Sequence, residues 1–239
     1  MTLYIIVPAA GVGARMNADR PKQYLTLAGE PLMKRTLERL SMAFEGAELV
    51  LGLSAGDPWF DSSWLDGLRW RRAPGGNSRA DTVRQALDAL KGCAHEDDLV
   101  LVHDVARPCV TVADLLALKA AAQASPDGAL LATPVADTMK RAGEGARVLR
   151  TESRERLYHA LTPQGFRYGL LSEALYRASQ HGNEGITDEA SAVEALGRSP
   201  QLVPGRRDNI KVTHPEDLAL AEAILAAQST PSTDSRGMT

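Results

Sequence analysis

Four short, almost continuous apolar runs recur along the chain, each followed by a turn-forming or polar segment and then by a helical pattern, and this alternation constrains the fold most. The runs are Leu3 to Val7, Glu48 to Ser54 (ELVLGLS), Asp98 to His103 (DLVLVH) and Gly128 to Val135 (GALLATPV). Apolar runs of this length without polar alternation are strands covered on both faces. Between them, Pro31 to Met42, Arg79 to Leu90 and Val112 to Gln123 have helical spacing. Later helices are expected at Phe166 to His181, Asp188 to Leu196 and Pro215 to Ala227. Arg69 to Ala73, Gln201 to Val203 and Asn209 to Val212 read as shorter strands. Strands separated by helices require an α/β architecture, a Rossmann-like, mostly parallel sheet with helices on both faces. Ligands of such sheets bind beyond the C-terminal ends of the strands. One interruption stands out: Asp137 to Arg156 is polar, carries Gly143 and Gly145, and reads as a β-hairpin arm projecting from the domain. With no internal repeat and no linker, residues 1–228 form one domain with its arm at about 137–156. The small, polar stretch 229–239 reads as a disordered tail.

Composition excludes several function classes. The chain of 239 residues has 27 Lys and Arg against 30 Asp and Glu, a formal charge of -3, so no global positive field exists to hold a nucleic acid. An anion site must be local. Two cysteines, Cys93 and Cys109, without a C-x-x-C pair argue against structural zinc and against a disulfide scaffold, and fit a reducing cytoplasm. No apolar stretch is long enough to span a membrane, so a soluble protein is expected.

The segments following the strands hold the residues with chemical potential. Ala9, Ala10, Gly11 and Gly13 form a small-residue loop whose backbone N–H groups can approach a phosphate, and Arg15, Arg20 and Lys22 bring cations to it. Met16 stands where a dinucleotide fingerprint needs glycine, and no G-K-[ST] follows, so neither that motif nor a Walker A loop fits. Gly75 to Thr82 (GGNSRADT) pairs two glycines with a polar helix start, able to present backbone and short side chains to a base or ribose, or simply to cap a helix. Asp104, at the tip of a central strand, is a candidate metal ligand, and Arg107 can clamp a phosphate. His103 reads as a satisfied core residue rather than a base. Lys211 is an unusual charge in a short apolar segment, whose bland reading is an outward-facing lysine on an edge strand.

Taken in order, the segments A-A-G-x-G-x-R-M (Ala9 to Met16), P-K-Q (Pro21 to Gln23), G-G-x-x-R-A-D-T, H-D-x-A-R-P (His103 to Pro108), P-V-x-D-T (Pro134 to Thr138), H-A-L-T-P-Q (His159 to Gln164), T-D-E-A (Thr187 to Ala190) and D-N-I-K-V-T (Asp208 to Thr213) resemble the 2-C-methyl-D-erythritol 4-phosphate cytidylyltransferase family. The resemblance runs from residue 4 to about 225, and its visible departure is Val105, where that family usually has alanine. It implies attack of a polyol phosphate on the α-phosphorus of CTP with Mg2+ or another divalent cation. Arg15 and Lys22 would then stabilise the transition state, and Arg154 and Lys211 would also be catalytic. Ala9, Ala10, Gly11, Gly13, Gly76, Asn77, Arg79 and Thr82 would contact the nucleotide, and Asp104, Arg107, Thr138 and Thr187 the polyol phosphate. The resemblance also implies a homodimer with exchanged arms, each contributing Thr138 and Arg154 to a shared site. A related polyol-phosphate cytidylyltransferase, using ribitol 5-phosphate for example, would present the same nucleotide half. A nucleotide-binding regulatory module would show a broken cation set, whereas Arg15, Lys22, Arg107 and Lys211 are all present. The roles of Trp59, Trp64 and Trp70 are open, beyond packing as a small satellite cluster.

Overall fold

The computed structural model describes residues 1–11, 16, 18–182 and 185–230. Gly13 and Arg15 lie outside the described residues, as does the stretch 231–239, so the expected tail is described only at Ser229 and Thr230. Seven strands form the central sheet in the order β11-β7-β10-β6-β1-β4-β5. They are β1 (Leu3–Pro8), β4 (Glu48–Leu53), β5 (Arg69–Pro74), β6 (Leu99–Val102), β7 (Ala129–Pro134), β10 (Tyr158–Arg167) and β11 (Gln201–Pro204). β1 lies between β4 and β6 and pairs with both in parallel. Its side chains alternate as a two-faced central strand demands. Ile5 and Val7 pack on one face with α1 (Leu32–Ala43) and α3 (Val112–Ala124), and Tyr4 and Ile6 on the other with α2 (Arg79–Asp88), α4 (Tyr168–Gln180) and α5 (Glu189–Glu194). A third apolar cluster joins Met16, Ala106, Cys109 and Val212 to Ala221 of α6 (Glu216–Ser229), which ends one residue into the stretch expected to be tail.

Three expectations are corrected. Tyr158 to Arg167, unassigned in the sequence, is the ten-residue strand β10, antiparallel to both β6 and β7, so helix α4 starts at Tyr168 rather than Phe166. Its polar, proline-containing sequence is accommodated because register with β7 breaks between Ala160 and Gln164, at Pro163. Asn209 to Val212 is not a strand; it is an irregular segment tied to the body by the Val212 N–H donating to the Ala106 carbonyl at 2.8 Å. A small hairpin of β2 (Thr26–Leu27) and β3 (Glu30–Pro31) precedes α1, whose first residue is Leu32, with Pro31 as its cap.

The arm is a hairpin of β8 (Met139–Ala142) and β9 (Val148–Glu152), antiparallel and almost wholly exposed. Trp64 and Trp70 pack edge-on around Phe60 at 5.9 and 5.6 Å between ring centroids, the satellite cluster expected, and Trp64 also meets Tyr24 at 6.3 Å. Trp59 differs: it is partly exposed beneath the Arg20 guanidinium at 4.7 Å. Arg20 thus pairs with Trp59 and Asp19.

Candidate active site

A cavity of about 500 Å³ opens at the C-terminal ends of β1, β5 and β6. Ala9, Ala10 and Gly11 form one wall, and their carbonyls are already bonded. The buried Gln23 amide donates to the Ala9 and Gly11 carbonyls at 2.8 and 3.0 Å, and the Ser54 hydroxyl to that of Ala10 at 3.0 Å. With its acceptors occupied, the loop repels an anion less. Gln23 belongs to the short turn Lys22–Tyr24, which sets the neighbouring Lys22 at the cavity wall. The Lys22 ammonium donates to the Val212 carbonyl at 2.9 Å.

The opposite wall is Gly76 to Thr82. A Cβ on Gly75 would lie 2.2 Å from that of Ala10, and one on Gly76 2.4 Å from that of Asp81, so only glycine lets this strand end run between the loop and the helix start. Ser78 caps α2, as its sequence suggests, accepting from the Asp81 N–H at 3.1 Å. The buried Thr82 hydroxyl accepts from the Gly76 N–H and donates to the Ser78 carbonyl, both at 3.0 Å. It therefore shapes this wall, while Gly76, Asn77 and Ser78 face the cavity beside it.

An ion-pair network forms the floor. Asp104 follows β6 and is nearly buried; Arg79 Nε donates to its Oδ1 and Lys211 Nζ to its Oδ2, each at 2.7 Å, with Arg107 Nε 3.7 Å from Oδ2. Burial pushes the Asp104 carboxyl upward, but Arg79, Lys211 and Arg107 outweigh it and hold the group well below the usual carboxylate range. Arg79 spends its other edge on Glu189, with Nη1 to Oε1 at 2.6 Å and Nη2 to Oε2 at 3.0 Å. Burial disfavours its charge, yet the two carboxylates raise its pKa. Arg107 is mostly buried, donates to the Asn209 carbonyl at 2.7 Å and does not line the cavity, so here it braces the 208–213 segment. Lys211 is no edge-strand ornament: it lines the cavity. His103 is fully buried between the Arg107 carbonyl and the Thr162 hydroxyl, both at 3.1 Å, as a satisfied core residue should be. Val105 also lines the cavity, its carbonyl held by the Thr36 hydroxyl at 2.7 Å, so the departure from alanine adds only apolar wall.

Not every candidate converges here. Thr138 and Arg154 lie on the exposed arm and Thr187 is exposed at the entry to α5; none lines the cavity, and Arg154 Nη1 donates to the Ala136 carbonyl. Asp104 does not fit as a metal ligand, because both oxygens carry cations, and among the described residues no group of three His, Cys, Asp or Glu could hold an ion. Sequence reasoning missed Glu189, Gln164 and Thr162. Gln164 joins β10 to α5, accepting from the Ala190 N–H and donating to Asp188, both at 2.8 Å, and Thr162 accepts from the Asp104 N–H at 3.0 Å. The polar residues of T-P-Q, flanking Pro163, and of T-D-E-A, at a helix start, are the signal that could have found them.

Three cations, Lys22, Arg79 and Lys211, thus line one cavity with Asp104, while Arg107 and Glu189 brace that network from behind the wall. A local positive excess beside a small-residue loop at strand tips can hold a polyphosphate and steady charge on a transferring phosphorus. The class so defined is a nucleotidyltransferase. The family model of 2-C-methyl-D-erythritol 4-phosphate cytidylyltransferase matches residues 3–227, and the chain belongs to that family. Relatives of that name from Chromohalobacter salexigens and Vibrio cholerae are 55% and 51% identical, over 94% and 92% of this chain and 90% and 95% of theirs. A crystal structure of 4-diphosphocytidyl-2C-methyl-D-erythritol synthase superposes with a TM-score of 0.81 at 35% identity, covering 94% of this chain and 98% of that one. The Francisella tularensis cytidylyltransferase gives 0.80 at 30% identity over 94% and 100%. Among the described residues no helix is long and apolar enough to cross a membrane.

Proposed function

We propose that the protein transfers CMP from CTP to 2-C-methyl-D-erythritol 4-phosphate, releasing pyrophosphate. The observation that carries this reading is the Lys22 and Lys211 pair brought to one cavity from opposite ends of the sequence, between the Ala9 to Gly11 loop and the Gly76 wall. A phosphate monoester is already anionic near neutral pH, so its oxygen needs no strong base to attack the α-phosphorus. A bond forms from that oxygen to the α-phosphorus, and the bond from the α-phosphorus to the bridging oxygen breaks, its electron pair leaving with pyrophosphate. Catalysis then rests on alignment and on neutralising the crowded charge. Lys22 takes the triphosphate side, with Arg15, which lies outside the described residues, assigned beside it by family resemblance. Lys211, seated on Asp104, takes the acceptor side, where Asp104 meets the polyol hydroxyls. A divalent cation is part of the reading; with both Asp104 oxygens taken by Arg79 and Lys211, it would be held by the triphosphate, whose charge it would help to neutralise. The close-packed glycine wall sizes the base pocket for a pyrimidine. Free Cys93 and Cys109 suit a reducing cytoplasm.

The arm supports a homodimer in which arms are exchanged. A two-stranded hairpin alone is marginally stable. This one exposes Val148 at 65% and Leu149 at 63%, with Met139 and the neighbouring Tyr158 of β10 also open, and its Thr138 and Arg154 do not line the cavity described above. A partner's site gives both the apolar cover and the use for Arg154. The reading is tested by nucleotide choice: turnover with CTP should exceed that with ATP, GTP and UTP by about a hundredfold. Equal turnover with ATP defeats it.

A further inference from the structure

We infer that Glu189 is a positioning residue for this reaction: acting through Arg79, it fixes the Asp104 carboxylate against Lys211. The inference rests on the function proposed above and extends it to a side chain that does not line the cavity. Glu189 is 1% exposed, and both of its oxygens receive the Nη1–Nη2 edge of Arg79. The Nε edge of the same guanidinium goes to Asp104 Oδ1, and Asp104 Oδ2 receives Lys211. Four segments, the starts of α2 and α5, the tip of β6 and the 208–213 segment, are thereby linked in one chain of charges. A planar guanidinium bonds two carboxylates along two fixed edges at once; a lysine in its place is a point charge without that fork and does not hold the two in a set geometry.

Packing alone does not require this ion pair. Ala190, Ala192 and Val193 already bury α5 in the core, and Gln164 and the Asp188–Ser191 capping box hold its first turn. Buried ion pairs are often no more stabilising than apolar replacements, so holding a geometry is the distinct contribution of Glu189. With Glu189 present, Arg79 is divided between two carboxylates and leaves Asp104 Oδ2 to Lys211. Without it, the freed Nη groups can close on both oxygens of Asp104 and displace the Lys211 ammonium from its seat.

The test is steady-state kinetics on Glu189→Gln, on Arg79→Gln and on the double variant, with CTP binding and thermal melting measured in parallel. Glu189→Gln should lower kcat/KM for the polyol phosphate by about tenfold or more, while the Kd for CTP moves by no more than about threefold. In the Arg79→Gln background, adding Glu189→Gln should cost nothing further, because its only route to the site is gone. Glu189→Asp, which keeps the charge, should recover part of the loss. A Glu189→Gln enzyme that melts lower but keeps wild-type kcat/KM, or losses that add in the double variant, would overturn the inference. Should Glu189→Gln not fold, Arg79→Lys is the arbiter: the same loss of kcat/KM is expected, and wild-type kinetics would overturn the inference. A wild-type enzyme without turnover on CTP and the polyol phosphate would instead refute the functional reading.

Discussion

Acidification should loosen this protein through His103. The ring is fully buried, and its neighbours fix one tautomer: the Asp104 N–H donates to the Thr162 hydroxyl, that hydroxyl donates to Nδ1, and Nε2–H donates to the Arg107 carbonyl. Burial lowers the imidazole pKa to about 4, with the Arg107 and Arg79 charges reinforcing it against the Arg107 carbonyl and Asp104. The unfolded chain binds this proton near 6.5, so between the two values the unfolded state holds more protons. The stabilisation is therefore complete above about pH 6.5 and is lost as pH falls towards 4. The interval corresponds to about 3 kcal/mol, of which about 2 kcal/mol is gone by pH 4.5. That is a large share of an ordinary folding free energy. Asp104, with its depressed pKa, loses its contribution as pH falls from the ordinary carboxylate value of 3.8 downward, beneath the pH 7 to 4.5 interval. Urea unfolding of the wild type and of His103→Gln at pH 7 and pH 4.5 reads the effect, since glutamine hydrogen bonds without titrating. The wild type should lose about 2 kcal/mol more than the variant over that interval. Parallel losses in the two proteins would refute the reasoning.

Lys22→Ala should lower kcat by about a hundredfold with little change in KM for CTP, because its charge matters most where negative charge accumulates; a risen KM with unchanged kcat would make it a ground-state binder. Gly76→Ala places a Cβ 2.4 Å from that of Asp81 and should destabilise the fold by about 1–3 kcal/mol while raising KM for CTP, and wild-type values in melting and kinetics would contradict the close-packed wall. Mixing inactive Lys22→Ala and Arg154→Ala proteins should restore roughly a quarter of wild-type activity per subunit, since half the dimers are mixed and each regains one intact site; activity staying at the mutant baseline would place Arg154 in its own chain's site.

The parts of the fold legible in the sequence were those where one physical effect dominates. β1, β4, β6 and β7 are buried on both faces and so carry unbroken apolar runs, and the arm is legible because nothing in its own chain covers it. β10 was not, because its polar residues serve partners distant in sequence: Gln164 holds α5, Thr162 holds Asp104, and Gly165 has no room for a Cβ against Leu101 and Ala122. The cavity side chains Lys22, Asp104 and Lys211 could be named from strand ends and motif order. What could not be read is how charges divide among them. That Arg79 is shared by Asp104 and Glu189, and that Arg107 braces a backbone segment, depends on side-chain geometry set by the packing of four segments.

Omission of each component from the complete reaction tests the account most directly. Purified protein with CTP, magnesium and 2-C-methyl-D-erythritol 4-phosphate should release pyrophosphate and form the cytidine diphosphate ester in equal amounts, and neither should appear when any of the three is left out. Ribitol 5-phosphate in place of the acceptor should support little turnover. Pyrophosphate release without the polyol phosphate, or faster turnover with ribitol 5-phosphate, would contradict the account.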